Sequence, residues 1–228
     1  MSRIAIVADA HIGGPGGSGA ELYRQLEELP QSGCTDLLLL GDLFHVWVGS
    51  TKYENQAIRQ FIKLTGDLRA RGIRIHYVEG NRDFFLDDSP YRQAFDRYGM
   101  ELEFALDGGQ RVLAIHGDRV NWADKRHMFW SGFSKSALVR TLMRRLPYRL
   151  ARWLVDYAER EIAKTNRKHR IEIPEVALRQ FGERRMTGDV DLVVMGHFHE
   201  PASLAVEGGE VRLIDAWYHS RRVEWLEL

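Results

Sequence analysis

The sequence predicts a layered α/β domain from three observations. Short β-rich apolar runs recur along the chain, helical patterns separate the early runs, and Gly-Gly pairs mark turns near the later ones. The runs are IAIVAD, DLLLLGDLF, IRIHYVEGN, QRVLAIHGD, DLVVMGHFH and VRLIDAWY. Most are continuously apolar instead of alternating, as strands covered on both faces are.

The first strand begins at once, in the apolar run Ile4 to Ala8. A helical pattern over Ala20 to Leu29 leads to the second run. The next helix is predicted over Tyr53 to Arg71 and stops at Gly72, because glycine takes the left-handed conformation of a helix end without steric cost. Gly108 with Gly109, and Gly208 with Gly209, are predicted hairpin turns, which makes the later sheet partly antiparallel. From about Trp122 to Arg185 the strand signal stops. Ser134 to Leu146 and Tyr148 to Lys168 read as helices separated by Pro147, which lacks the backbone donor a helix interior needs. Residues 122–185 are therefore expected to form a helical cap inserted between two strands of a single domain spanning 1–228.

With 228 residues, 44% of them hydrophobic, the chain can build one large domain with a full core. Lys plus Arg and Asp plus Glu both number 32, a balance that argues against a general polyanion binder. Cys34 is the single cysteine, which excludes an intramolecular disulfide framework and fits a reducing compartment. No segment approaches the roughly 18 uninterrupted apolar residues of a membrane span. The amino-terminal segment reads as a strand and not as a secretory leader. A cytoplasmic protein, at most attached to a membrane surface, is expected.

Two chemistries compete for the segment ADAHIGGPGGSGAEL, Ala8 to Leu22. Gly14, Gly16 and Gly19 have the GxGxxG spacing of a dinucleotide loop between strand and helix, and Asp42 follows where a ribose-binding carboxylate would stand. The other reading starts from Asp9 and His11. Five runs finish with possible metal ligands: Asp9 and His11, Asp42, Asn81, His116, then His197 and His199. Ligands gather at the carboxyl edge of an open α/β sheet, so these side chains are expected to converge. Members of the Asp9/His11 and His197/His199 pairs are two apart and project to one side of an extended chain. Adjoining glycines let the backbone approach an ion. The ordered series outweighs the glycine spacing, since Asp9 and His11 occupy the place of a dinucleotide loop's first turn; retention of a nicotinamide or flavin would reverse that choice.

DxH, GD, GN, a later His before GD, and GHxH in this order resemble the calcineurin-like metallophosphoesterases, from Asp9 to His199. The resemblance implies a four-layer α-β-β-α sandwich of two mixed sheets flanked by helices, and two divalent ions. By the same resemblance Asp9, His11 and His199 would hold one metal, Asn81, His116 and His197 the other, and Asp42 would bridge them. Oxygen donors with imidazoles suit a borderline metal, manganese first, with zinc, iron or cobalt as alternatives. Such a pair readies water for in-line attack on phosphorus, and Asp42, Asn81, Arg82 and His116 are the expected catalytic set.

Many family members read GNH where this chain reads GNRD, Gly80 to Asp83. Arginine stays protonated, so Arg82 cannot act as a general acid but can clamp phosphate oxygens. That favours a leaving group that departs as a stable anion, as a pyrophosphate linkage provides. A structural ion pair of Arg82 with Asp83 is the alternative. GDLF, GNRDF, HGD and GHFHEP, with AWYH near the end, resemble a narrower group, the UDP-2,3-diacylglucosamine hydrolases of lipid A synthesis. This implies cleavage of a UDP-linked diacyl sugar to UMP and a lipid sugar phosphate, by a protein peripheral on the inner face of the inner membrane. It also implies substrate contacts at Asn81, Arg82, Asp124 and His197, with Lys164, Asn166 and Arg167 in the cap.

The group's Ser, Asn and Lys-rich cap stretch has only KTNRKHR as a counterpart here. Trp122, Phe129, Trp130 and Phe133 could line an acyl pocket or form the cap's own core. The basic stretch from Arg140 to Arg170, interleaved with leucines, could rest on an anionic leaflet or be a solvated helix face. Neither a nucleic-acid partner nor an obligate protein partner is expected. The competing functions are a related phosphoesterase for another nucleotide diphosphate or a phosphodiester, and a non-catalytic interaction protein on the same scaffold.

Overall fold

The computed structural model describes residues 3–14, 19–106, 108–120, 132–150, 153–155, 157, 173–186 and 188–227. In chain order the first half supplies β1 (Arg3–Val7), α1 (Gly19–Glu28), β2 (Asp36–Leu39), β3 (Trp47–Val48), α2 (Gln56–Ala70), β4 (Arg74–Val78), β5 (Asp83–Phe84) and β6 (Arg97–Gly99). The second half supplies β7 (Glu101–Ala105), β8 (Arg111–Ile115), α3 (Ala137–Arg145), α4 (Glu175–Arg185), β9 (Leu192–Met195), β10 (Ala202–Val206), β11 (Gly209–Leu213), α5 (Trp217–Ser220) and β12 (Glu224–Glu227).

Ten of the twelve strands form two mixed five-stranded sheets, ordered β12-β1-β2-β4-β6 and β10-β11-β9-β8-β7, and β3 pairs with β5 in parallel. In the first, β1, β2, β4 and β6 run parallel and β12 is antiparallel at the edge. In the second, β8, β9 and β11 run parallel, and the predicted Gly-Gly hairpins join β7 to β8 and β10 to β11. Register sets the strand ends level: Val7 faces Leu39 and Leu39 faces Tyr77, while Ile115 faces Met195 and Met195 faces Leu213. The turns leaving these strand ends therefore emerge along one edge.

Burial on both faces explains the continuous apolar runs. Ala5, Val7, Leu37, Leu39, Ile75 and Tyr77 pack with Leu22 and Leu26 of α1 and Phe61 and Leu68 of α2. The alternate residues Ile4, Ile6, Leu38 and Val78 meet Val112, Ala114, Leu192 and Val194 of the other sheet. On the far side Leu113, Val193, Val211 and Leu213 pack with Leu178 of α4. The layers are helix, sheet, sheet, helix. Trp47 is fully buried in the first core, with the rings of Phe44, Tyr91 and Tyr77 at 4.9, 5.5 and 5.6 Å.

Three boundaries differ from the sequence reading. Helix α2 starts after Asn55, whose side chain accepts from the Ile58 amide; Tyr53 belongs to a separate 3-10 turn. Its end at Gly72 agrees, with φ of 87°. The AWY of the last run is not strand: β11 ends at Leu213 and α5 begins at Trp217. Within the predicted helix Ser134 to Leu146, α3 covers Ala137–Arg145 with Ser136 capping the Val139 amide. Most of the predicted helix Tyr148 to Lys168 lies outside the described residues. Helix α4, inside the stretch assigned to the cap, lies against β10 and β11 as the outer layer of the second sheet.

Candidate metal centre

The two sheets converge at the edge where β1, β2, β4, β8 and β9 end, and each end delivers a residue of the predicted set. Backbone hydrogen bonds continue past the strands: Leu40 donates to Val7, Asp9 to Gly41 and His11 to Asp42, at 2.8, 3.3 and 3.1 Å. Asp9, His11, Asp42, His197 and His199 all have positive φ, between 46° and 69°. They make up five of the seven such non-glycine residues among the described ones. This corrects the expectation that alternation on extended chain aims the two pairs. Left-handed turns beyond the strands aim them, a conformation that costs about 1–3 kcal/mol each and clusters at functional sites. Glycine next to these turns is a matter of space: a Cβ on Gly196 would sit 2.5 Å from Asp9 Oδ2, and one on Gly80 2.3 Å from Asp42 Oδ1.

The donor atoms form two adjoining groups. In the first, His11 Nε2 lies 3.2 Å from His199 Nε2, and Asp9 Oδ1 lies 3.4 Å from His199 Nε2 and 3.8 Å from His11 Nε2. In the second, His116 Nε2 lies 3.0 Å from Asn81 Oδ1 and 3.8 Å from Asp42 Oδ1, and the His197 ring centroid is 5.1 Å from that of His116. Asp9, Asp42 and His116 also come together, so Asp9 stands in both groups. Nδ1 of His116 is 2.7 Å from the Leu40 carbonyl, which can only accept, so Nδ1 carries a proton and Nε2 is the ring atom turned to the centre. The Asp9 carboxylate takes the His197 amide on Oδ2 at 2.7 Å.

These residues fit a divalent cation. Asp9 Oδ1 is buried without a hydrogen-bond donor, and imidazole nitrogens flank it. Asp9 and Asp42 are both almost fully buried in one polar hollow. Burial pushes Asp42 above the ordinary carboxylate range, against the opposing pull of His116 and Arg82. Burial opposes the charge on His116 too, but Asp42 and then Asp9 prevail and raise it to about 9. Burial would raise Asp9, yet the close approach of the His199 imidazole and the charges of His116, His199 and His11 hold it below the usual carboxylate range. Two carboxylates thus draw positive charge into a space lined with nitrogen donors.

Arg82 is 3% exposed. Its amide donates to Asp42 Oδ1 at 2.8 Å, its Nε is 3.3 Å from Asp42 Oδ2, and its Nη1 reaches His45 Nδ1 at 3.0 Å and the His45 carbonyl at 3.3 Å. The alternative ion pair with Asp83 is not formed. Asp83 Oδ2 instead accepts from the Gly80 amide at 2.8 Å, the Tyr77 hydroxyl at 2.9 Å and the Asp42 amide at 3.3 Å, fastening the Asp42 and Asn81 turns together. Burial and the Asp42 charge push Asp83 up to about 7. The carboxylate proposed for a ribose, Asp42, is thereby committed to the centre.

Seven predicted residues and Arg82 are brought together: Asp9, His11, Asp42, Asn81, His116, His197 and His199. Asp124, Lys164, Asn166 and Arg167 lie outside the described residues, as do Trp122, Phe129 and Trp130; Phe133 is exposed. Sequence reasoning missed His45, the anchoring role of Asp83, and Lys135, whose Nζ donates to Glu79 and to the Gly80 carbonyl, both at 2.6 Å. Asp83 was legible as the last letter of GNRD. For His45 and Lys135 no spacing rule existed, because their partners lie 37 and 55 or more positions away.

A calcineurin-like phosphoesterase family model matches residues 2–201. A UDP-2,3-diacylglucosamine hydrolase of Vibrio atlanticus (strain LGP32) is 24% identical over 168 residues, which cover 72% of this chain and 67% of that protein. The protein of that name from Yersinia pseudotuberculosis serotype O:1b (strain IP 31758) is 27% identical over 175 residues, covering 75% and 71%. Among solved structures, Vps29 of Chaetomium thermophilum aligns with 100% of this chain and 78% of its own at 11% identity, with a TM-score of 0.49.

Proposed function

The chain belongs to the calcineurin-like phosphoesterase family, and from that premise we propose that it hydrolyses the pyrophosphate bond of UDP-2,3-diacylglucosamine, giving UMP and 2,3-diacylglucosamine 1-phosphate for lipid A biosynthesis. The observation that carries the reading is Arg82, buried against Asp42 beside two converging donor groups. The relatives that share the name of this activity support the substrate class.

Asp9, His11 and His199 would hold one divalent ion and Asn81, His116 and His197 the other, with Asp42 between them. Such ions, with manganese the first candidate, polarise phosphoryl oxygens and supply an activated water. The chain's own contribution is orientation and charge. Leu40 fixes the His116 ring through Nδ1. An arginine side chain is a permanent cation with donors only, so Arg82 neutralises phosphate charge and donates hydrogen bonds but cannot protonate a leaving group. A phosphate leaving group needs no such proton, which is why a pyrophosphate suits this centre better than an alkyl ester.

A lipid substrate calls for access to a membrane, and α3 supports a peripheral association with an anionic surface. Leu138 and Leu142 are 72% and 50% exposed, and Trp153 and Tyr157 stack at 5.8 Å while remaining exposed. Arg140 and Arg144 are partly neutralised by Asp87 and Asp88, which leaves Arg145 and Arg149 as the basic complement among the described residues of this stretch. Among the described residues no helix is long and apolar enough to cross a membrane. The deciding assay offers UDP-2,3-diacylglucosamine beside lipid-free UDP sugars to manganese-loaded protein. Strong preference for the diacyl substrate is expected, and equal turnover of all of them defeats the lipid assignment.

A further inference from the structure

The glycine-rich stretch after His11 resembles a cofactor loop, yet its first member has a different use. Gly14 does not adopt a positive φ, so its backbone does not call for glycine. Its surroundings do. A Cβ there would lie 2.9 Å from His45 Nδ1 and 3.1 Å from the His11 carbonyl. The His45 imidazole fills the space that a side chain at position 14 would take. The backbone holds it firmly: Ile12 donates to Leu43 and His45 to Ile12, both at 2.9 Å, and the β3–β5 pairing sets Trp47 opposite Asp83. The pairing brings His45 beside Arg82.

Arginine offers donors and no acceptor. The 3.0 Å contact from Arg82 Nη1 to His45 Nδ1 therefore needs the Nδ1 lone pair, and the ring proton resides on Nε2. Nε2 has no acceptor among the described residues, and the ring is only part-buried. Arg82 Nη2 likewise makes no hydrogen bond among them. The His45 ring lies 6.3 Å from that of His11, at the rim of the centre. Two N–H-bearing atoms on neighbouring side chains thus lack an acceptor among the described residues, one of them on a permanent cation.

We propose that His45 is a substrate-binding residue that donates its Nε2 proton in a hydrogen bond to a phosphate oxygen, held in that tautomer by Arg82 and given its place by Gly14. The proposal rests on reading the centre as a phosphoesterase site, and deepens that reading by adding a neutral donor beside the charged one. A neutral imidazole donor binds an anion without competing with the metal donors for a proton.

The test uses inorganic phosphate titrated calorimetrically into the manganese-loaded protein, with bound metal measured for each variant. His45→Phe is expected to weaken phosphate binding by on the order of tenfold, the loss of one hydrogen bond to a charged group, with metal content unchanged. His45→Gln keeps an N–H donor and recovers part of the loss. Gly14→Ala weakens binding in the same direction by displacing the ring. Gly14→Ala combined with His45→Ala behaves as His45→Ala alone, because the obstructed ring is gone. On the wild-type protein, imidazole nitrogen NMR is expected to show His45 protonated on Nε2 and bare on Nδ1. Unchanged phosphate affinity in His45→Phe, no phosphate binding by the wild type, or a proton on Nδ1 overturns the proposal. If UDP-2,3-diacylglucosamine is not turned over while His45→Phe still loosens phosphate, the substrate assignment falls and the role of His45 stands.

Discussion

Asp9, Asp42 and His116 are at most 2% exposed, whereas α3 buries none of its side chains and leaves Leu138 72% exposed. The two regions are neighbours held by opposite means. The centre grows out of strands whose faces are covered by three apolar clusters, so its geometry inherits the cohesion of the whole domain. Helix α3 and the residues that lead into it are tied down mainly by polar contacts: Arg140 to Asp87, Arg144 to Asp88, the Tyr53 hydroxyl to the Met143 carbonyl, and, just before the helix, Lys135 to Glu79 and Gly80. Its apolar support is the small cluster of Val48 and Tyr53 with Met143 and Leu146. Surface ion pairs are individually weak and screened by salt. The difference teaches that the centre moves only if the core does, while the neighbouring helix can open at much lower cost.

The most severe way to break this comparison is to strike the centre itself. Asp42→Ala or His116→Ala is expected to lower hydrolysis by roughly 10³-fold or more while circular dichroism still reports a folded protein, since the three apolar clusters remain. Near-normal turnover in either variant would show that the centre is not catalytic. Chelation should abolish wild-type activity and added manganese restore it. Metal at about a hundred times its Kd should stabilise the wild type by about 2.7 kcal/mol and leave the melting temperature of Asp42→Ala nearly unmoved.

Next in size is the core beneath the centre. Trp47→Ala removes a fully buried ring from the aromatic cluster, and urea unfolding should show a loss of about 3–5 kcal/mol. Lys135→Met sharpens the contrast, because it cuts a link between the two regions and strands Glu79, which also contacts the Tyr98 hydroxyl. A loss of about 1–3 kcal/mol is expected, with amide exchange accelerating in α3 before β1 and β2. Equal acceleration everywhere would mean that α3 is not a separate, cheaper unit. Leu138→Ser should have the smallest effect on folding, within about 0.5 kcal/mol, while reducing retention on phosphatidylglycerol vesicles. Unchanged retention would leave the exposed face of α3 without a membrane role.

Legibility followed burial. IAIVAD, DLLLLG and DLVVMG were visible as strands because both faces are covered, which removes polar residues from every position of β9 and from all but the first position of β1 and β2. Strands β7 and β10 have one face toward solvent and mix polar with apolar residues, so they were inferable only from their Gly-Gly turns. The pairs β3 and β5 are two residues each and carry no period at all. The AWY of the last run has strand-forming residues, but tertiary contacts override them: Trp217 donates its amide to Ala8 and its indole proton to Gln25 as α5 begins.

The order and identity of the donors were determined by sequence alone, since a buried hollow that gathers carboxylates and imidazoles must encode each of them at a strand end. So were the two-sided burial of the central strands and the arginine that replaces a proton donor. Tertiary structure alone decided how those donors are aimed, through left-handed turns at Asp9, His11, Asp42, His197 and His199 that no local pattern announces. It also decided the partnership of Arg82 with His45, and the reason for Gly14. The physical cause is the same in each case: backbone strain and close approach are tolerated only where distant segments overdetermine them, and that support comes from residues far away in the chain.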